Sequence, residues 1–90
     1  MTDETDDVRV WLVDRGYNNR DLIVLKYATP DGTRFFRREL AAQAMDLDSV
    51  TAAKNVSASD LENVDDSELR ERYESEAKRM SAQHDPDDTI

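Results

Sequence analysis

Cysteine is absent from the 90 residues, and histidine and tryptophan occur once each, glycine and proline twice each. Lacking cysteine, the chain can form no disulfide staple, no thiolate metal site and no cysteine nucleophile. His84 stands beside Asp85 in an aspartate-rich stretch and is expected to be solvated, not a base or ligand. Ser57 and Ser59 are accounted for by capping, and no other nucleophile and base are paired, so catalysis, cofactors and metal sites are not expected. Apolar runs such as Leu22 to Leu25 fall far short of the roughly 20 residues that span a bilayer. Met1 is followed by Thr2-Asp3-Glu4-Thr5-Asp6-Asp7, which offers neither a basic nor an apolar region, and the protein reads as soluble and cytoplasmic.

What is abundant is charge. Asp and Glu number 21 against 12 Lys and Arg, a net charge of -9, and 14 of the acids are aspartates while only Lys26, Lys54 and Lys78 are lysines. Short carboxylates hold water and cations tightly, and long apolar lysine stems are disfavoured where concentrated salt strengthens burial. Molar salt also shrinks the Debye length to about 3 Å, which screens the self-repulsion of such a chain. The composition resembles that of a small uncharacterised acidic protein family of halophilic archaea. This resemblance lies in composition and in the order of segments, and it carries over no functional motif.

A chain this short supports one domain. Residues 1–7 are expected to be a disordered acidic tail, 8–83 a single α+β domain, and 84–90 a flexible acidic tail. From Val8 to Arg38 three apolar, strand-like segments alternate with polar turns and contain Trp11, Tyr17, Tyr27, Phe35 and Phe36. Val8 to Val13 is the first strand, Asp14 to Asp21 a loop, Leu22 to Ala28 the second strand and Thr33 to Arg38 the third. Between the last two, Thr29-Pro30-Asp31-Gly32 is a turn: proline pre-sets its first position and glycine supplies a positive φ. The strands are apolar on both faces, so the sheet needs two covers. Glu39 to Met45 has high helix propensity and is expected as a short helix, the alternative being that strand three continues into it. Val50 to Val56 reads as a fourth strand or a helix, with Lys54 interrupting the apolar spacing. Asp65 and Glu68 form a capping box before a helix over roughly residues 66–83, whose apolar stripe is Leu69, Tyr73, Ala77 and Met80. The architecture expected is a three- or four-stranded antiparallel meander packed on a long C-terminal helix.

Two surfaces could meet a partner. Strand alternation is expected to set Trp11, Val13, Val24 and Phe36 on one sheet face, opposite Val10, Leu12, Ile23, Leu25 and Phe35. If the helix covers the latter, the former is a homodimer interface anchored by aromatics. Arginines suggest the second surface. Residues 8–56 carry eight cations against six acids, whereas residues 57–90 carry four against eleven. Arg15, Arg20, Arg34, Arg37 and Arg38, close to aromatics, have the composition that grips phosphates and stacks on bases. The leading expectation is a non-enzymatic protein-interaction module adapted to high salt and acting as a homodimer, and the alternative is a small nucleic-acid-binding protein.

Overall fold

A computed structural model describes residues 7–17, 22–41 and 50–89. The chain forms strands β1 (Asp7–Tyr17), β2 (Leu22–Ala28), β3 (Arg34–Ala41), β4 (Ala53–Ser57) and β5 (Glu62–Asn63), then helix α1 (Ser67–Gln83). They build one antiparallel sheet in the order β4-β1-β2-β3-β5. The meander of the first three strands is thus extended at both edges, and α1 packs on it, giving the expected α+β architecture.

Register is set at the β2–β3 turn. Gly32 takes φ +73 and donates its N–H to Thr29 O at 2.8 Å, while Thr29 N–H reaches Arg34 O at 3.0 Å. Asp31 ties the turn together, its Oδ1 accepting from Thr29 Oγ1 (2.6 Å), Thr33 N (3.0 Å) and Thr33 Oγ1 (2.8 Å). These bonds to the charged form hold the Asp31 carboxyl below its usual range. The resulting pairing sets Ala28 opposite Phe35 and Tyr27 opposite Phe36.

That pairing sorts the side chains, because paired residues share a face and alternate residues change it. Trp11, Ala28, Phe35 and Ala53 lie on one side, and Phe35 meets Tyr73 of α1 with ring centroids 6.4 Å apart, so this is the helix side. Val10, Leu12, Ile23, Leu25, Tyr27, Phe36 and Val56 lie on the other. Both sides are buried: Trp11 is 8% exposed and Leu25 0%.

Four expectations are corrected here. Phe35 and Phe36 exchange sides relative to the sequence reading, since that reading could not fix the register of β3. Asp14 to Tyr17 continue β1 past an irregularity between Leu12 and Asp14, where the expected loop had begun; residues 18–21 lie outside the described residues. Glu39, Leu40 and Ala41 belong to β3, because pairing with β2 satisfies their backbone groups and overrides helix propensity; the rest of the expected helix, residues 42–45, lies outside the described residues. The helix cap is Asp66, whose Oδ1 accepts from Glu68 N at 2.9 Å, one residue later than the capping box implied.

Two further expectations, a strand near Val50 to Val56 and the apolar stripe of the helix, hold. Within Val50 to Val56 the strand alternative is the one adopted, as β4. Tyr73, Ala77 and Met80 form the buried stripe of α1, with Leu69 half-buried beside Val64. Of the expected tails, residues 1–6 lie outside the described residues and Asp7 begins β1. Residues 85–89 run along the start of β4: Ala52 N–H donates to Asp88 O (2.8 Å) and Ala53 N–H to Pro86 O (3.0 Å). Among the described residues no helix is long and apolar enough to cross a membrane.

A Cβ on Gly32 would lie 2.2 Å from Arg70 O and 2.8 Å from Glu74 N, so the turn is seated against the backbone of α1. Gly32→Ala is therefore expected to cost about 3 kcal/mol in urea unfolding, combining left-handed strain with a clash that backbone cannot relieve. Gly16→Ala, with nothing within 4 Å of the added methyl, is expected to stay within about 0.5 kcal/mol. Asp31 makes a pH prediction. Its carboxylate binds protons less readily folded than unfolded, so its stabilisation is present above the unfolded carboxylate pKa and lost as pH falls through the lower folded value. Asp31→Asn should accordingly lower stability at neutral pH and flatten the acid limb of a stability-against-pH curve.

Candidate partner-binding face

The register separates charge as well as apolar side chains. Every acid at a paired strand position (Asp7, Asp14, Glu39, Glu62) falls on the helix side, together with Arg9, Lys26 and Arg37. The opposite side carries only cations: Arg15 and Arg38 flank Leu25, Arg34 precedes Phe36 by one alternation, and Lys54 pairs opposite Val10.

Lys54 organises this face. Its Nζ lies 5.0 Å from the Phe36 ring centroid and 5.7 Å from that of Tyr27, a double cation–π contact. This explains how a lysine fits a strand whose neighbours Ala53 and Val56 are buried. Phe36 in turn has Arg34 and Arg38 as same-face neighbours along β3, each about 7 Å away at the usual strand rise. Burial lowers the Lys54 pKa, and the nearby Arg38 guanidinium lowers it further. Burial raises the Tyr27 pKa, which the same guanidinium partly opposes. The ion pairs among the described residues lie elsewhere: Arg37 with Glu39 (2.5 Å), Lys78 with Glu74 (3.1 Å), Arg79 with Glu76 (2.6 Å) and His84 with Asp88 (3.7 Å). Arg15, Arg34, Arg38 and Lys54 form no ion pair with an acid among the described residues, although the Arg34 charge acts on the Asp31 carboxylate.

The residues singled out from sequence are therefore regrouped. Trp11 and Val24 share the helix side, with Trp11 buried; Phe36 is on the cationic side; Val13, at the irregularity of β1, packs against both core clusters. They do not form one surface. Of the five arginines, Arg15, Arg34 and Arg38 share the cationic side, Arg37 points to the other side beside Glu39, and Arg20 lies outside the described residues. Lys54 was missed as a site residue. The signal available was a lysine on an apolar strand pattern, read as an interruption when it marked a charge held over aromatic rings. No group of three or more acidic or histidine side chains converges to hold a metal ion among the described residues.

A model for a family of unknown function, DUF7967, matches residues 4–90. The chain belongs to that family. Comparison with curated proteins and with solved structures finds no match. The family match spans both the cationic face and the acidic helix, so both belong to one family unit.

Because the Arg38 guanidinium contributes to the low Lys54 pKa, Arg38→Gln is expected to raise it. The rise should be partial, since burial is the larger cause. Titration of the Lys54 Nζ resonance by NMR measures the change; an unaltered titration would show that the two cations are electrostatically independent.

Proposed function

We propose that the protein is a non-enzymatic interaction module that receives an acidic segment of another protein against the solvent-reaching cations Arg15, Arg34, Arg38 and Lys54 that border its buried cationic side. The observation that carries this reading is the segregation of Arg15, Arg34, Arg38 and Lys54 on one side, none of them in an ion pair among the described residues of a chain whose net charge is -9, with only the Arg34 charge shown acting on a described acid, Asp31. Charge complementarity selects the partner. A carboxylate between Arg38 and Lys54 would accept charge-assisted hydrogen bonds from donors that form no ion pair among the described residues.

The acidic segment is favoured over nucleic acid on two counts. Tyr27 is 1% exposed and the Phe36 ring is capped by Lys54, which leaves no free aromatic platform for base stacking. The outer face of α1 carries Glu68 and Glu71, and the overall negative field repels a long polyanion. A two-fold homodimer through this face would set its cations against their own copies, so a different chain is the better occupant. The aspartate-rich, lysine-poor composition supports a protein of a salt-rich cytoplasm, where short hydrogen-bonded contacts survive and long-range steering fades.

The test is fluorescence anisotropy with a labelled polyaspartate peptide in one arm and single-stranded RNA in the other, each across a potassium chloride series. The Arg38→Gln, Lys54→Gln double variant is expected to weaken peptide binding at least about tenfold, whereas Arg37→Gln on the opposite side should leave it unchanged. Tighter binding of RNA than of peptide, lost in the same double variant, would replace this reading with nucleic-acid recognition.

A further inference from the structure

Lys54 also lies on an edge strand, and that edge is already partly occupied. Leu12 N–H donates to Ala52 O at 2.9 Å, and the antiparallel register then turns the backbone groups of Lys54 and Val56 toward β1 and those of Ala53 and Asn55 outward. The outward N–H of Ala53 is taken by Pro86 O, and Thr51 bridges Thr89, so residues 85–89 form a turned strap that covers the start of this edge. Further along, the backbone groups of Asn55 find no partner among the described residues. Arg9, Lys54, Asn55, Pro86 and Asp87 line a groove where strap and open edge meet.

The strap is weakly anchored. None of His84 to Thr89 is buried, whereas Val50, Ala52 and Ala53 beneath it are 0%, 0% and 4% exposed. Its own shape depends on Asp88, whose backbone N–H donates to Asp85 O (3.0 Å) and whose Oδ2 accepts from Asp85 N (2.9 Å). The segment that occupies this edge, His84-Asp85-Pro86-Asp87-Asp88, is acidic and folded into a turn at Pro86-Asp87, and Arg9 and Lys54 stand beside it.

We infer that the β4 edge is a strand-addition site for an extended acidic peptide, and that residues 85–89 are its resident occupant, which the partner displaces. This rests on the reading of an acidic protein partner and specifies its docking mode: backbone pairing along β4 supplies the register, and the Lys54 side chain joins the edge to the cationic face. This intramolecular strap competes with the partner, so the apparent affinity is the intrinsic one reduced in proportion to the fraction of molecules whose edge is open.

The probe is a synthetic peptide with the sequence of residues 84–90, titrated into the full chain and followed by amide exchange and isotope-edited NOEs. Exchange at the Asn55 amide is expected to slow about tenfold, with cross-strand NOEs from peptide to β4. Asp88→Ala, which removes the side-chain bond that shapes the strap, should tighten peptide binding about threefold. Asp87→Ala, the same change of charge without that bond, should not. Binding with unchanged Asn55 exchange, confined to Arg34, Arg38 and Lys54, would overturn the edge inference and leave the cationic-face reading intact. Asn55 protection that is indifferent to Arg38→Gln and Lys54→Gln would do the reverse. Equal affinities for Asp88→Ala and the unaltered chain would show that the strap is not a competitor.

Discussion

The structure depends on the seating of one turn against one helix. Gly32 must be glycine twice over: its φ is +73, and its Cα faces Arg70 O and Glu74 N too closely for a methyl group. The left-handed conformation closes the β2–β3 hairpin in a single register, and the close approach holds α1 on the face that register exposes to it. Val64 N–H adds a bond to Thr33 O at 2.9 Å, which ties the chain entering α1 to the same turn. Hairpin and helix therefore stabilise each other through backbone contact. A register slip by one residue would move Phe35 off Tyr73 and place Phe36 under the helix, reversing every side chain of β3.

The same register decides the electrostatics. Alternation sends Arg34 and Arg38 to one side of β3 and Arg37 and Glu39 to the other, where the last two pair. On β1 the irregularity after Leu12 moves Asp14 to the side of Tyr73 and leaves Arg15 opposite Leu25. The Asp14 carboxylate contributes, after burial, to the raised Tyr73 pKa, which places acid and helix on one side by a second route. Without the irregularity, strict alternation would put Asp14 on the cationic side. One extra residue in β1 thus keeps an acid away from Arg38 and Lys54.

How much of this was legible in the sequence depends on whether the cause was local. The Thr29 to Gly32 turn, β2 and the stripe of α1 are each specified within a few residues, by turn chemistry or by helical spacing, and the sequence reading located them. Register and irregularities depend on pairing between segments, so the assignment of Phe35 and Phe36 to sides and the extension of β1 past Asp14 were out of reach. Glu39 to Ala41 were open between a helix and a continuation of strand three: their propensity is helical, but the edge of β2 offers hydrogen bonds that propensity cannot match, and the strand alternative is adopted. The candidate site was half legible. Concentration of arginine on the sheet was visible, whereas its division between two faces, and the place of Lys54 over Phe36, required the register.

Lys54 and Arg38 give the proposed partner site its physical basis. Two like charges close together on a partly desolvated surface disfavour each other, and the cation–π contacts offset this by only about 1 kcal/mol. A carboxylate arriving between them relieves the repulsion and fills open donors, so its attraction is larger than one isolated cation could provide. Concentrated salt screens the repulsion in the free protein but weakens a desolvated, hydrogen-bonded contact much less. On the proposed reading, the free state would be tolerated in salt while the bound state would keep most of its attraction, in keeping with a strongly acidic chain that carries a small group of cations on one side.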